Sequence, residues 1–216
     1  MRGTMDADAW DRIIRLQRPL IVDGVCIRTL DEVVDFYAQQ MAKFGTSGRA
    51  LAYPEEELYA AKMGQYQRIL APLVQPTDTL LDVGCGSGSL LRVIGNCRYK
   101  GIDLVPEFVA EAQTRHPGFD FSVQNALEMS GTHDWVIGLG ITGTVPRPAR
   151  LVSRMWELAG RGLVIDFIDM NRYREDLNCF DIGRCLDMFL QWGAAEVRIH
   201  SWAEYIWAIF EVHRQG

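Results

Sequence analysis

The chain has 216 residues, 48% hydrophobic and 23% charged, which is enough to bury the core of one globular domain and to carry an appendage. Its formal net charge of −6 argues against a broad basic surface for nucleic acid. No apolar stretch is as long as a membrane span, and the first ten residues lack the apolar segment of a secretory signal. We therefore expect a cytoplasmic protein that binds neither nucleic acid nor membranes.

The five cysteines form no C-x-x-C pair, are odd in number and have no histidine cluster beside them. This pattern favours free thiols in a reducing compartment, and no metal site is expected. The cysteines are Cys26, Cys85, Cys97, Cys179 and Cys185.

Before residue 79 the sequence favours α-helices. Residues 1–29 carry only a weak hairpin signal, "VDG" at 22–24. Two helices are predicted over 30–44 and 54–73, the second of which opens with proline and acidic residues. One face of the first helix carries Val34, Tyr37, Met41 and Phe44. We expect residues 1–78 to form a helical extension.

From residue 79 onward, apolar strand-like runs alternate with helix-like segments. The predicted strands are 79–83, 98–103, 119–123, 134–139 and 162–168. The helices between them are predicted at 88–95, 106–115 and 147–159. This alternation is typical of a doubly wound α/β fold with a mainly parallel sheet.

The end of the chain departs from this alternation. A helix predicted over 180–193 is followed by two strand-like runs, 195–202 and 205–214, with no room for a helix between them. Two strands so close in sequence favour an antiparallel hairpin at the sheet edge. We therefore predict a seven-stranded, Rossmann-like sheet over residues 79–216.

A glycine-rich stretch, "LLDVGCGSGSL" at 80–90, follows the first of these strands. Glycines at every second position allow a tight turn and the close approach of a ligand. The spacing differs from a G-x-G-x-x-G dinucleotide motif because residue 89 is Ser, and no P-loop lysine follows. Asp103 ends the next strand, where a carboxylate can accept both ribose hydroxyls. Together these features indicate a nucleoside-like cofactor.

Three stretches resemble the first three motifs of class I S-adenosylmethionine (SAM) dependent methyltransferases: "LLDVGCGSGSL", "YKGIDLVPEFVAEA" and "VQNALEM". The resemblance implies SAM as cofactor and S-adenosylhomocysteine (SAH) as product. It implies that the glycine loop surrounds the methionine part, that Asp103 holds the ribose, and that Leu104, Asn125 and Ala126 meet the adenine. Asn125 stands where the family commonly has Asp, and an amide can both accept hydrogen bonds from the adenine edge and donate to it. The implied cofactor residues in the loop are Asp82, Gly84, Cys85, Gly86 and Gly88.

The same resemblance implies further contacts outside these motifs. Gly140 and Ile141, after the fourth strand, would line the floor beneath the sulfonium. A looser likeness to a group of small bacterial methyltransferases, functionally unassigned, implies that N-terminal helices cover the cofactor. Tyr37, Gln65 and Tyr66 occupy covering positions, and ordinary helix packing is an equal alternative for them.

Methyl transfer from a sulfonium is an in-line displacement that alignment and exclusion of water can accelerate, so the sequence need not contain a triad. "GLGITGTVP" at 138–146 lacks the Pro-Pro tetrapeptide of DNA amino-methylases, and the chain lacks the Pro-Cys pair that attacks pyrimidines. Both absences argue against nucleic-acid methylation. Polar candidates at the mouth of the site are Asp166, Asp169, Tyr173 and His200.

A structural alternative exists for Asp166, for His200 and for two arginines. Asp166, in an apolar strand, is either a base or a carboxylate satisfied by backbone groups or arginine. His200 is either a base or an alternating residue on a wet strand face. Arg147 and Arg150 could clamp an acidic substrate, but solvent-exposed charges in a first helical turn are favoured.

Three functions follow as hypotheses. The first is methyl transfer to O or N of a small-molecule acceptor. The second is a non-catalytic SAM-binding module, and the third is a protein or peptide methyltransferase. The aromatic C-terminal end is either hairpin core or, if exposed, a homodimer contact or an apolar substrate wall. Its residues are Trp192, Trp202, Trp207 and Phe210.

Overall fold

The structure is a computed structural model that describes residues 6–15, 19–22, 24–53, 55–173 and 175–215. These residues include six α-helices: α1 (Ala7–Ile14), α2 (Leu30–Phe44), α3 (Glu56–Leu73), α4 (Pro106–Arg115), α5 (Pro148–Leu158) and α6 (Ile182–Gln191). The strands are β1 (Leu20–Val22), β2 (Val25–Ile27), β3 (Thr79–Val83), β4 (Arg98–Asp103), β5 (Asp120–Val123), β6 (His133–Gly138), β7 (Ala159–Ile168), β8 (Glu196–Ser201) and β9 (Trp207–His213). Short 3-10 helices lie at Gly48–Leu51, Ser89–Arg92 and Ala126–Glu128.

Seven strands form one sheet in the order β5-β4-β3-β6-β7-β9-β8. β3 pairs in parallel with β4, β4 with β5, and β6 with β7, whereas β9 is antiparallel to both β7 and β8. The predicted fold class, a mainly parallel sheet with an antiparallel C-terminal edge hairpin, is confirmed. The weakly signalled hairpin near the start also exists, as β1 paired antiparallel with β2.

One predicted element is wrong. The helix predicted over 88–95 is only the 3-10 helix Ser89–Arg92. Val93 and Ile94 are β-branched and Gly95 follows them, so the segment has little helix propensity beyond one turn. The glycine loop therefore does not open an α-helix, and no helix macrodipole of useful length acts on a ligand there.

The chain divides into two compact units, one of Leu30–Met129 and one of Met1–Thr29 with Ser130–Gly216. In the first unit, α2 buries Val33 and Phe36, whereas the four residues predicted on one face are only half-buried. Helix α4 starts with Pro106 at its first position and buries Phe108, Val109 and Ala112. The ring of Phe108 lies 6.3 Å from that of Tyr37, which joins α4 to α2.

The second unit has an aromatic core. Phe167 of β7 lies 5.0–6.3 Å, between ring centroids, from the rings of Phe180, Phe189 and Phe210. Phe210 and Trp207 are buried and Trp192 and Trp202 are half-buried, so the aromatic C-terminal end contributes to this core.

Helix α1 belongs to the same unit as the C-terminal strands. Trp10 and Ile14 are buried, and the buried carboxylate of Asp11 accepts a hydrogen bond of 2.9 Å from the amide of Ala149 in the first turn of α5. This carboxylate satisfies a donor that a helix start leaves unpaired. Within the described ranges, no helix is both long and apolar enough to cross a bilayer.

Candidate cofactor site

The glycine loop after β3 is held on the end of β4. Gly84, Gly86 and Gly88 have φ angles of 71°, 52° and 77°, a region that residues with side chains rarely adopt. The amides of Gly84 and Cys85 both donate to the carbonyl of Ile102, at 2.8 and 3.0 Å. The loop conformation is therefore fixed by its own backbone bonds to the neighbouring strand.

The glycines of the loop face different surroundings. A methyl group on Gly88 would lie 2.8 Å from the His116 ring and 3.0 Å from the Phe121 ring, so protein packing fills that side. A methyl group on Gly86 would meet, among the described residues, only Leu51 within 4 Å, at 3.6 Å. The bare peptide that a ligand can approach is therefore at Gly86, whereas Gly88 is needed for packing.

Asp103 lies beside that bare peptide. Its Oδ2 accepts a hydrogen bond from the Gly86 amide and its Oδ1 accepts one from the Val105 amide, both at 2.9 Å. Burial raises the pKa of this carboxyl above its usual value, and hydrogen bonds from the amides of Val105, Gly86 and Leu104 act against that rise. A carboxylate has about four lone-pair sites, so the three amide donors leave one for a ribose hydroxyl. The geometry fits the predicted nucleoside.

Asp82 is a buried acid one strand away, only 2% exposed. Burial raises its pKa to about 7, although the hydroxyl of Tyr99 donates to its Oδ2 at 2.7 Å. Cys85 is also buried, its Sγ lies 3.6 Å from the carbonyl oxygen of Gly86, and burial raises the pKa of its thiol. Cys85 therefore contributes backbone to the loop and no reactive thiolate.

The third motif supplies a capped turn. Oδ1 of Asn125 accepts from the Leu127 amide at 3.0 Å and caps the 3-10 helix that starts at Ala126. The amide of Gln124 donates to the carbonyl of Asp103, which joins this turn to the end of β4. Leu104 is half-buried beside Asp103. The structure thus brings the predicted ribose and adenine residues together within one unit.

The predicted covering residues differ in burial. Tyr66 and Gln65 are buried in α3, which fits the packing alternative, whereas Tyr37 is half-buried. Sequence reasoning missed Leu51, over Gly86, and Tyr59, which shares a hydrogen bond with Ser89 at the end of the glycine loop. Neither has a motif that marks it, because each reaches the loop only through the fold.

The remaining predicted residues lie in the second unit. Gly140, with φ of 70°, donates its amide to Oδ1 of Asp166 at 2.6 Å. The main-chain oxygen of Asp166 accepts from the Thr142 hydroxyl at 2.7 Å. Asp166 is therefore a carboxylate that accepts from a backbone group, as its structural alternative predicts. Its catalytic role stays a prediction. The side chain of Ile141 lies against Gly138, where a methyl group would be 2.7 Å from it.

His200 belongs to a charged cluster on the edge hairpin. Its Nε2 lies 2.9 Å from Oε2 of Glu211, while His213 and Arg198 contact Oε1 of the same carboxylate at 2.7 and 2.8 Å. Glu211 is buried, which alone would raise its pKa. Hydrogen bonds from His213 and His200 and the charge of Arg198 lower it overall. The cluster gives His200 a structural partner, and its role as a base stays a prediction.

The other charged candidates are either paired or exposed. Arg147 pairs with Asp8 at 3.7 Å on the surface, and Arg150 is exposed, as the solvent alternative predicts. Asp169 accepts from Asn171 and lies 3.6 Å from Arg172. Burial, followed by the hydrogen bond to Asp176, raises the pKa of Tyr173.

Residues 81–163, which include the glycine loop, Asp103, Asn125 and Gly140, match the family model described as a methyltransferase domain. The chain contains a methyltransferase domain. The match begins in β3 and ends in β7. Curated proteins yield no sequence match.

Solved structures share the fold of this methyltransferase domain at low sequence identity. Magnesium protoporphyrin IX methyltransferase from Synechocystis, with bound SAH, has a TM-score of 0.69 and 18% identity over 86% of this chain and 100% of that chain. A SAM-dependent methyltransferase from Mesorhizobium loti has a TM-score of 0.58 and 14% identity over 71% and 98%. A [4+2]-cyclase has a TM-score of 0.65 and 16% identity over 92% and 99%.

Proposed function

We propose that this protein binds SAM and transfers its methyl group to O or N of a small-molecule acceptor. The observation that carries the proposal is the position of Asp103. It joins the open glycine of the loop to the start of α4 and keeps acceptor capacity for a ribose hydroxyl. That arrangement suits the hydroxyls of a ribose.

The residues assigned to the cofactor follow from this geometry and from the motif resemblance. Gly84 and Gly86 would contact the methionine part, Asp103 the ribose, and Leu104 the adenine face. Asn125 uses Oδ1 to cap its turn, so its Nδ2 is suited to donate to an adenine ring nitrogen. We retain residues 79–216 as the SAM-binding domain and residues 1–78 as its extension, with Tyr37 as the covering residue.

Bound SAM would supply an electrophilic methyl group. The protein itself then has to orient the cofactor and the acceptor and to exclude water from them. The rigid glycine loop fixes one end of the cofactor. Asp82 is buried beside it and can hold a proton or a negative charge near neutral pH. Gly140 and Ile141 are assigned to the side on which the acceptor approaches. No general base is required where the acceptor atom carries no proton that must leave.

A small-molecule acceptor is favoured over nucleic acid by charge. The net charge of −6 gives no electrostatic attraction to nucleic acid. The charged cluster around Glu211 is internally paired, so it offers no basic patch. The likeness to a [4+2]-cyclase shows that the fold alone does not establish methyl transfer, so turnover has to be measured.

Two measurements on the purified protein test the proposal. Calorimetric titration with SAH measures binding, and conversion of SAM to SAH is followed with and without the small-molecule fraction of a bacterial extract. Binding with extract-dependent turnover supports the proposal. Binding without such turnover supports the non-catalytic module instead. Turnover that requires the protein fraction of the extract supports a protein substrate, and a folded sample that does not bind SAH contradicts all three.

A further inference from the structure

The loop after β6 is buried although it has no regular structure. Thr142, Thr144 and Val145 are buried. A buried loop must find partners for its backbone groups inside the protein, because water is excluded. The residues that supply those partners therefore determine where the loop lies.

One residue supplies three of them. Nδ2 of Asn178 donates to the carbonyls of Thr142 and Val145, at 2.9 and 2.7 Å, and its backbone amide donates to the carbonyl of Gly143 at 2.9 Å. Asn178 lies between β7 and α6, far from the loop in sequence, and is buried. The three carbonyls are thus fixed to a single residue outside the loop.

Arg15 fixes the orientation of Asn178. Its Nη1 donates to Oδ1 of Asn178 at 2.7 Å. A guanidinium can only donate, and the two loop carbonyls can only accept, so the amide of Asn178 can have only this orientation. Arg15 follows α1, whose Asp11 is bonded to α5. The N-terminal helix thereby holds the loop through one side chain.

We propose that Asn178, oriented by Arg15, is a positioning residue for methyl transfer that holds the loop Gly140–Val145 in its active conformation. The inference rests on the proposed function, which assigns Gly140 and Ile141 to the reacting end of the cofactor. Displacement of such a group by about 1 Å can reduce the rate about a hundredfold. The two residues lie outside the part of the chain that matches the methyltransferase domain.

The test uses Asn178→Asp, which keeps the shape of the side chain. A carboxylate cannot donate to the carbonyls of Thr142 and Val145, although it can still pair with Arg15. We expect faster amide hydrogen exchange over residues 140–145, at least a tenfold fall in the maximal rate of extract-dependent SAH formation, and a KM for SAM and an SAH affinity within about threefold of the unaltered protein. Asn96→Asp, the same change at an exposed position, is the control and should leave all four quantities unchanged.

A second pair of variants keeps the test decisive if Asn178→Asp does not fold. Arg15→Ala should reduce the maximal rate severalfold without changing SAH affinity, and Arg15→Lys, which still donates, should restore most of it. Unchanged exchange or an unchanged rate in Asn178→Asp, or equal rates in the two Arg15 variants, overturns the inference. Loss of SAH affinity in step with the rate also overturns it, because the role is then structural. An unaltered protein without turnover contradicts the proposed function itself and removes this role with it.

Discussion

The carboxylate of Asp103 accepts a hydrogen bond of 2.9 Å from the amide of Gly86, so the acid at the end of β4 and the middle glycine of the loop after β3 are directly joined. A second bond, from the Val105 amide, fixes the other carboxylate oxygen. Asp103 thus positions the loop as well as offering acceptors to a ligand. A substitution there changes both functions at once, which makes the glycines the cleaner place to separate packing from binding.

Gly86 and Gly88 should respond differently to alanine. Gly86→Ala meets only Leu51 among the described residues, at 3.6 Å, so it should fold with a strain of about 1–2 kcal/mol and lose SAH affinity at least tenfold. Gly88→Ala meets His116 at 2.8 Å and should lower the free energy of unfolding by about 3 kcal/mol. Urea unfolding and SAH calorimetry measure the two effects.

The matched control for both glycines is Gly95→Ala. A methyl group at Gly95 has nothing within 4 Å among the described residues, and its φ lies outside the left-handed region, so stability and SAH affinity should stay unchanged. An equal loss of stability in Gly86→Ala and Gly88→Ala would show that the Gly86 side is packed rather than open.

The stability of the cofactor-free protein should fall as pH rises from about 4 to about 7 because of Asp82. Burial raises the pKa of this carboxyl from 3.8 to about 7, so the folded state binds the proton more tightly than the unfolded state. The contribution is full below pH 4 and is lost as pH rises through 7. The stability lost between pH 5 and pH 8 amounts to about 2–3 kcal/mol.

Asp82→Asn tests this dependence. Its free energy of unfolding should change less between pH 5 and pH 8 than that of the unaltered protein, by about the amount above. Tyr99→Phe removes a hydrogen bond that lowers the pKa of Asp82, so the loss should extend to higher pH. Parallel pH profiles of Asp82→Asn and the unaltered protein would disprove the assignment.

Glu211 should stabilise the edge hairpin at neutral pH and cease to do so in acid. The folded state lowers its pKa, so its contribution is present above the unfolded value of about 4.5 and is lost as pH falls through the folded value. Glu211→Gln should cost about 1–2 kcal/mol at pH 7, a range reduced because the side chain of Arg198 is 52% exposed. The cost should shrink as pH falls below about 4.5.

Glu196→Gln is the control for Glu211, because Glu196 also bonds Arg198 but its side chain is 50% exposed. It should change the free energy of unfolding by less than about 0.5 kcal/mol at either pH. Equal effects of the two substitutions, measured by urea unfolding at pH 7 and pH 4, would show that burial gives Glu211 no special role.

Local pattern was sufficient to predict most of the sheet. The runs at 79–83 and 98–103 have the observed bounds of β3 and β4, because each is a short run flanked by turn residues, although only the first is mainly apolar. The edge hairpin followed from the short spacing between its strands. The helix predicted over 88–95 failed because an apolar run beside glycines does not distinguish a full helix from a single turn.

Long-range pairings account for what the sequence did not reveal. Asp82 pairs in register with Gly101, which places Tyr99 diagonally beside the acid, and the register of parallel strands cannot be read from a single sequence. Arg15 reaches Asn178 across 163 positions of the chain. Arg15 and Asn178 belong to no motif in the sequence, and only their burial and their hydrogen-bond partners distinguish them.

The most direct test of the SAM site is SAH calorimetry on the unaltered protein, Asp103→Asn and Asp120→Asn. Asparagine at 103 cannot accept both amides and both hydroxyls, so affinity should fall tenfold to a hundredfold, equivalent to about 1.4–2.8 kcal/mol. Asp120 is an exposed acid on the next strand, and its replacement should leave affinity within about twofold. Folded unaltered protein that does not bind SAH, or equal affinity in Asp103→Asn, would contradict the assignment of this site.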